Sequence, residues 1–106
     1  MSRNVQLHCD LSVDSHKEAE MVQYFETVYR PAAEKFDGYV DLRILKLRAV
    51  LAGEPPHGMN YRFSITYTSE DLRQKWIQSD VHQVVWPRLQ SFLVSTDFDF
   101  LLFEVI

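Results

Sequence analysis

Cysteine is nearly missing: Cys9 is the single one in 106 residues, which excludes an internal disulfide and suits a reducing compartment, the cytoplasm. Basic runs are missing as well. Lys and Arg total 11 against 15 Asp and Glu, for a net charge of -4, and this counts against nucleic acid and anionic membrane as main partners. No apolar run approaches about 18 residues, and the opening MSRNVQLHCDLSVD is polar at every second position. Neither a signal peptide nor a transmembrane span is therefore expected. What remains is ordinary globular material, 46% hydrophobic and 25% charged, enough for one domain over residues 1–106 and too short for a second.

Taken in order, Val5, Leu7, Cys9, Leu11 and Val13 alternate with Gln6, His8, Asp10 and Ser12, the period of two of a strand with one apolar face. Cys9 falls in phase with the core set and should be buried and inert. Ser15-His16-Lys17-Glu18 fits a capping box. The helix it opens has Val22, Phe25, Tyr29, Ala32, Ala33 and Phe36 as its apolar face and Gly38 as a left-handed cap. Pro31 should bend it, because it removes a backbone donor and crowds the preceding turn. The next strand, Tyr39 to Leu51, changes parity at Ile44-Leu45, which asks for either a bulge there or cover on both faces. Arg43, Lys46 and Arg48 on it read as a surface or subunit-contact set. Ala52 to Asn60 is dense in turn formers and reads as a long hairpin loop able to serve as a lid.

The most informative stretch runs from Tyr61 to Leu93. Tyr61, Phe63, Ile65 and Tyr67 alternate with polar residues as a strand, and Ser69-Glu70-Asp71 then caps a short helix through Trp76. Asp80, with Gln83 three residues on, opens another, on which His82, Val85, Trp86, Leu89 and Leu93 share one stripe. His82 thus stands on the apolar side at the first turn. A last strand, Asp97 to Ile106, is apolar on both parities, with Phe98, Phe100 and Leu102 on one and Leu101, Phe103 and Val105 on the other.

The order strand, helix, strand, strand, two helices, strand predicts an α+β domain with helices on one face of a four-stranded antiparallel sheet. The second face stays bare. A last strand apolar on both sides then points to a homodimer joined through that open sheet face.

At this point the sequence resembles the dimeric α/β-barrel superfamily, with its antibiotic-biosynthesis monooxygenase-like, stress-responsive A/B-barrel, EthD-like and haem-degrading branches. The resemblance spans the chain in element order and is concentrated in Phe63 to Leu93, with WIQSDVHQVVWPRLQSFL as its signature, and in Thr96-Asp97-Phe98. It implies a ferredoxin-like βαββααβ fold and a dimeric α/β barrel. It also places His82 at the acid/base histidine of the A/B-barrel polyketide cyclase and Trp76 at a pocket tyrosine, while Gln6 and Tyr61 stand where that branch has further histidines. Against the haem-degrading branch, Trp86 stands at the iron ligand and Tyr67 at a tryptophan that distorts the haem, so no haem is expected.

The function expected is a cofactor-independent tailoring step of secondary metabolism: a cyclisation, dehydration or oxygenation of an aromatic or polyketide-like small molecule. His82 would be catalytic, its unperturbed pKa near neutrality suiting proton removal beside a carbonyl. Trp76, Tyr67, Tyr61, His8 and Trp86 would bind substrate between sheet and helices, with Tyr61, Tyr67, His8 or Asp10 orienting the imidazole. The same residues have plainer readings. A histidine on an apolar stripe also fits a hydrogen-bonded core position, and the four rings also fit core aromatics. His8 and Asp10 with His82 can be drawn as a metal site, although a solvated strand face explains the first two and no metal is called for. The rival class is a ligand-binding or structural dimer without chemistry.

Overall fold

Strands form where apolar residues alternate, and their register assigns every side chain to one of two faces. In the computed structural model, which describes residues 3–55 and 58–106, β1 (Val5–Leu11) is followed by α1 (Glu18–Tyr24), a π-helical segment (Phe25–Tyr29) and α2 (Arg30–Glu34). Then come β2 (Tyr39–Lys46), β3 (Tyr61–Tyr67), α3 (Glu70–Gln78), α4 (Asp80–Gln90) and β4 (Phe100–Glu104). The sheet order is β2-β3-β1-β4 and each neighbouring pair is antiparallel. This is the expected α+β, ferredoxin-like arrangement.

One sheet face carries the core. Cys9, Leu11, Leu42, Phe63, Ile65 and Tyr67 pack there against Met21, Phe25, Tyr29 and Ala33 from the first helical run and Trp76, Val85 and Leu89 from the second. Each large apolar side chain buried in this way contributes roughly 1.5–3 kcal/mol. Cys9 is buried as expected, and burial pushes its thiol up to about 12. It is not a nucleophile at neutral pH.

The other face is a polar network edged by apolar residues. Gln6, His8 and Asp10 stand opposite Thr66, Ser64 and Arg62 in register. Gln6 Nε2 donates to Thr66 Oγ1 at 2.9 Å, its Oε1 meets His8 Nε2 at 2.6 Å, and Arg62 Nε donates to Asp10 Oδ1 at 2.7 Å. Leu101 and Phe103 of β4 lie beside His8 and Gln6 on this face. They are 55% and 46% exposed, and Phe100 and Leu102 on the opposite parity are 53% and 45%. β4 is thus half-covered on both sides.

Several local expectations are corrected. The capping box does not form. The first helix begins at Glu18, after Lys17 with no side-chain cap, because the Glu18 carboxylate that the box needs turns instead to Tyr61 Oη at 2.7 Å and Lys46. The helical run expected to bend at Pro31 is divided there, with Pro31 at the start of α2 directly after the π-helical segment. β2 ends at Lys46 and not Leu51, and its register shift falls between Tyr39 and Asp41 instead of at Ile44-Leu45. With that early shift Leu42 and Ile44 face the helices while Leu45 stays exposed, so the second alternative, cover on both faces, does not apply. β4 spans Phe100–Glu104 within the longer stretch expected. Pro56 and His57 of the turn-rich loop lie outside the described residues, and the lid expected there lies partly with them.

Candidate functional site

Ser79 builds the junction that positions the site. Its extended backbone separates α3 from α4, and its hydroxyl donates to the Trp76 carbonyl at 2.6 Å while accepting from the His82 amide at 3.1 Å. Ser79, and not Asp80, is therefore the cap of α4. One small side chain ties the last turn of one helix to the first turn of the next and fixes Trp76 and His82 relative to each other. Changing Ser79 to alanine should cost about 1 kcal/mol and lower the melting temperature by roughly 4–8 °C. A thermal melt coincident with that of the unmodified protein would show that the bridge contributes nothing.

The helices and sheet enclose a cavity of about 400 Å³, a size suited to a small organic molecule. Leu7, Phe63 and Ile65 form its floor, Phe100 and Leu102 one side, Arg73, Trp76 and Ile77 of α3 with His82 and Trp86 of α4 the roof, and Tyr29 the end. Because Phe100 and Leu102 line it and are half-exposed, the cavity is open along β4. Its walls are rings. Trp76 meets His82 edge-on at 5.2 Å, Trp86 stacks on His82 at 6.3 Å, and Phe63 meets Trp86 at 5.6 Å.

His82, Trp76 and Trp86 are thus brought together as expected, and Tyr61, Tyr67 and His8 are not with them. Tyr61 is buried by its ring, but its hydroxyl is engaged by Glu18; burial, then that carboxylate, pushes the phenol up to about 12. Tyr67 is fully buried, and its hydroxyl has no hydrogen-bond partner among the described residues. His8 belongs to the opposite sheet face, hydrogen-bonded to Gln6 and 4.9 Å from the Phe103 ring. The period of two decides this: His8 is out of phase with Leu7, which the cavity uses. For the same reason His8 and Asp10 cannot meet His82 around one metal, and among the described residues no cluster of ligating side chains forms.

None of the four proposed orienting partners bonds to His82. Its Nδ1 is buried without a hydrogen-bond partner among the described residues. Burial lowers the imidazole pKa from its ordinary value, with the Ile77 carbonyl acting in the opposite direction, so the ring is neutral at pH 7. An unprotonated imidazole in an apolar chamber can accept a proton from, or hydrogen-bond to, a bound molecule.

Arg73 was not among the expected site residues. It is 9% exposed, lines the cavity and holds Glu70 with two bonds, Nε to Oε2 at 2.7 Å and Nη2 to Oε1 at 2.6 Å. The pair holds the Glu70 carboxyl below the usual carboxylate range. The signal was its position three residues before Trp76, on one helical face. A Glu–Arg pair at that spacing reads equally well as a surface ion pair.

No protein-family model matches the sequence, and no curated protein matches it either. Solved structures do match in fold. A dimeric ferredoxin-like protein of unknown function from Jannaschia sp. CCS1 superposes with a TM-score of 0.78 at 14% identity, covering 96% of this chain and 99% of the other. A provisionally assigned antibiotic biosynthesis monooxygenase from Caulobacter crescentus CB15 gives 0.77 at 11% identity, with 99% and 92% covered. An ethyl tert-butyl ether degradation (EthD) family protein from Bacillus halodurans C-125 gives 0.71 at 14%, with 97% and 99% covered. Identities this low speak for the fold alone. Among the described residues, no helix is long and apolar enough to cross a membrane. By fold, the chain is similar to these ferredoxin-like structures, which is the fold its sequence led us to expect.

Proposed function

We propose that the cavity binds a flat, largely apolar small molecule and that His82 acts on it as a general base. The reaction class is a cofactor-independent tailoring step, a cyclisation, dehydration or oxygenation of an aromatic or polyketide-like compound, carried out by a cytoplasmic single-domain protein. The observation that carries this reading is the place of His82 on the wall of an aromatic cavity, with its imidazole pKa lowered by burial.

A second reading, a structural or ligand-binding homodimer without chemistry, draws on β4, whose apolar residues are half-exposed on both faces. A second copy covering the Leu101 and Phe103 face is compatible with either reading, and the Jannaschia protein of the same fold is a dimer.

His82→Gln compared with His82→Ala separates the two. With a panel of aromatic polyketide-like compounds as substrates, a general base should lose about 10²–10⁴-fold in turnover in both variants, with the fold kept. A core histidine should lose melting temperature first and leave any turnover unchanged. The pH dependence has a definite sign. The folded-state pKa of His82 lies below its ordinary value of 6.5, so the unfolded chain takes up the proton first and stability falls as pH drops below about 6.5. Turnover should rise with pH through the lowered pKa and level off above it. His82→Gln should flatten the turnover profile, while the stability profile keeps the share of His8, whose pKa burial also lowers; an unchanged acid limb of turnover in that variant would remove His82 as the base.

A further inference from the structure

We propose that Glu70 sets the specificity of this cavity: by holding the Arg73 guanidinium it cancels that charge, so the site accepts an uncharged oxygen, a ketone or phenol on a flat ring system, and turns away carboxylates. The inference rests on the cavity being a ligand site and goes beyond it, because the ring walls alone do not distinguish a ketone from an acid. Among the described residues Arg73 is the one permanently charged side chain in the lining, and that side chain is 11% exposed.

Its charge is already matched. The two bonds to Glu70 form the parallel fork of a bidentate pair, and Gln74 Nε2 reinforces the carboxylate by donating to Oε1 at 2.8 Å. Glu70 stands in the first turn of α3, where the positive end of the helix favours a carboxylate, and it does not itself line the cavity. A guanidinium has five N–H donors, and Glu70 takes two of them. The pair therefore offers hydrogen-bond donors without net charge. An incoming carboxylate would have to be desolvated against a neutral pair and a neutral imidazole, leaving a buried negative charge uncompensated. A carbonyl or phenol oxygen gains a bond to a charged donor and loses little hydration.

Three probes of similar size test this by titration calorimetry at pH 7: naphthalene, 1-tetralone and 1-naphthoate. The unmodified protein should bind 1-tetralone about tenfold or more tighter than either of the others. Glu70→Gln, which leaves the guanidinium charge unmatched, should bring 1-naphthoate up to or past 1-tetralone. Arg73→Met should bind 1-tetralone no better than naphthalene. The assignment is overturned if 1-naphthoate binds best to the unmodified protein, or if the ratio of ketone to acid is the same in Glu70→Gln. It is also overturned, with the cavity kept as a ligand site, if naphthalene and 1-tetralone bind equally to the unmodified protein. If none of the three binds, both the specificity assignment and the ligand-site reading fail. Should Glu70→Gln not fold, Arg73→Met still decides the case through the comparison of ketone with hydrocarbon.

Discussion

Phe103→Asp should yield a folded monomer. Phe103 and Leu101 lie on the sheet face away from the helices, about half-exposed, beside the polar network of Gln6 and His8. A second copy seated there would bury them, and a carboxylate placed in that contact would stay unpaired. The desolvation penalty for such a group should weaken the proposed dimer by at least about a hundredfold. Phe100→Asp makes the control. Phe100 lies on the cavity side, 6.1 Å from the Trp86 ring and 5.5 Å from Phe98, so a charge there should disturb the cavity and lower the melting temperature while the dimer persists. Sedimentation velocity at micromolar concentration reads both. A stable monomer for the unmodified protein would sink the assembly, and equal dissociation by both variants would sink the assignment of faces.

Gly38→Ala carries the larger stability cost. Gly38 has φ +85°, a region that L side chains rarely adopt, and a Cβ built on it would lie 2.6 Å from Leu72 Cδ1 and 2.9 Å from both Leu72 Cβ and Thr68 Oγ1. The backbone also approaches closely here, as the Thr68 amide donates to the Gly38 carbonyl at 2.8 Å. The left-handed conformation costs about 1–2 kcal/mol for a non-glycine residue, and forcing Leu72 aside about 1–3 more. Together these predict a loss of roughly 2–5 kcal/mol and a drop in melting temperature of about 10–30 °C. Urea denaturation with an unchanged midpoint would contradict it. Leu72 sits on α3, so the strain would reach the helix that holds Trp76 and Arg73.

The sequence spoke clearly where one period ran without interruption. Tyr61–Tyr67 was legible to the residue because all four of its alternating apolar side chains are buried. Gly38 has the left-handed φ expected of it but is not the helix cap: α2 ends at Glu34 with Lys35 as its cap, and Gly38 stands in the following turn, where the Tyr39 amide donates to the Phe36 carbonyl. The capping box at Ser15 failed because Glu18 had a tertiary partner in Tyr61 that no local rule contains. The candidate site was half legible. His82, Trp76 and Trp86 follow from helical spacing, whereas Arg73 turns inward because a bond to Glu70 lets a charged head be buried. His8 was placed in the pocket against its own strand phase, and the register returned it to the other face.

The π-helical segment explains why residues spaced by four can all be buried. Met21, Phe25, Tyr29 and Ala33 are each at most 1% exposed, yet steps of four overshoot a 3.6-residue turn by about 40° each. In an unbroken α-helix three such steps would carry Ala33 about 120° round the axis from Met21. The wider turn at Phe25–Tyr29 winds part of that angle back and keeps the row facing the sheet. Tyr29 sits at the end of that segment and closes the end of the cavity. Deleting one residue between Phe25 and Tyr29 would therefore leave eleven steps of about 100° from Met21 to Ala33, about 20° from full turns, so an ordinary α-helix would keep both on the sheet side and only the wide turn that carries Tyr29 would be lost.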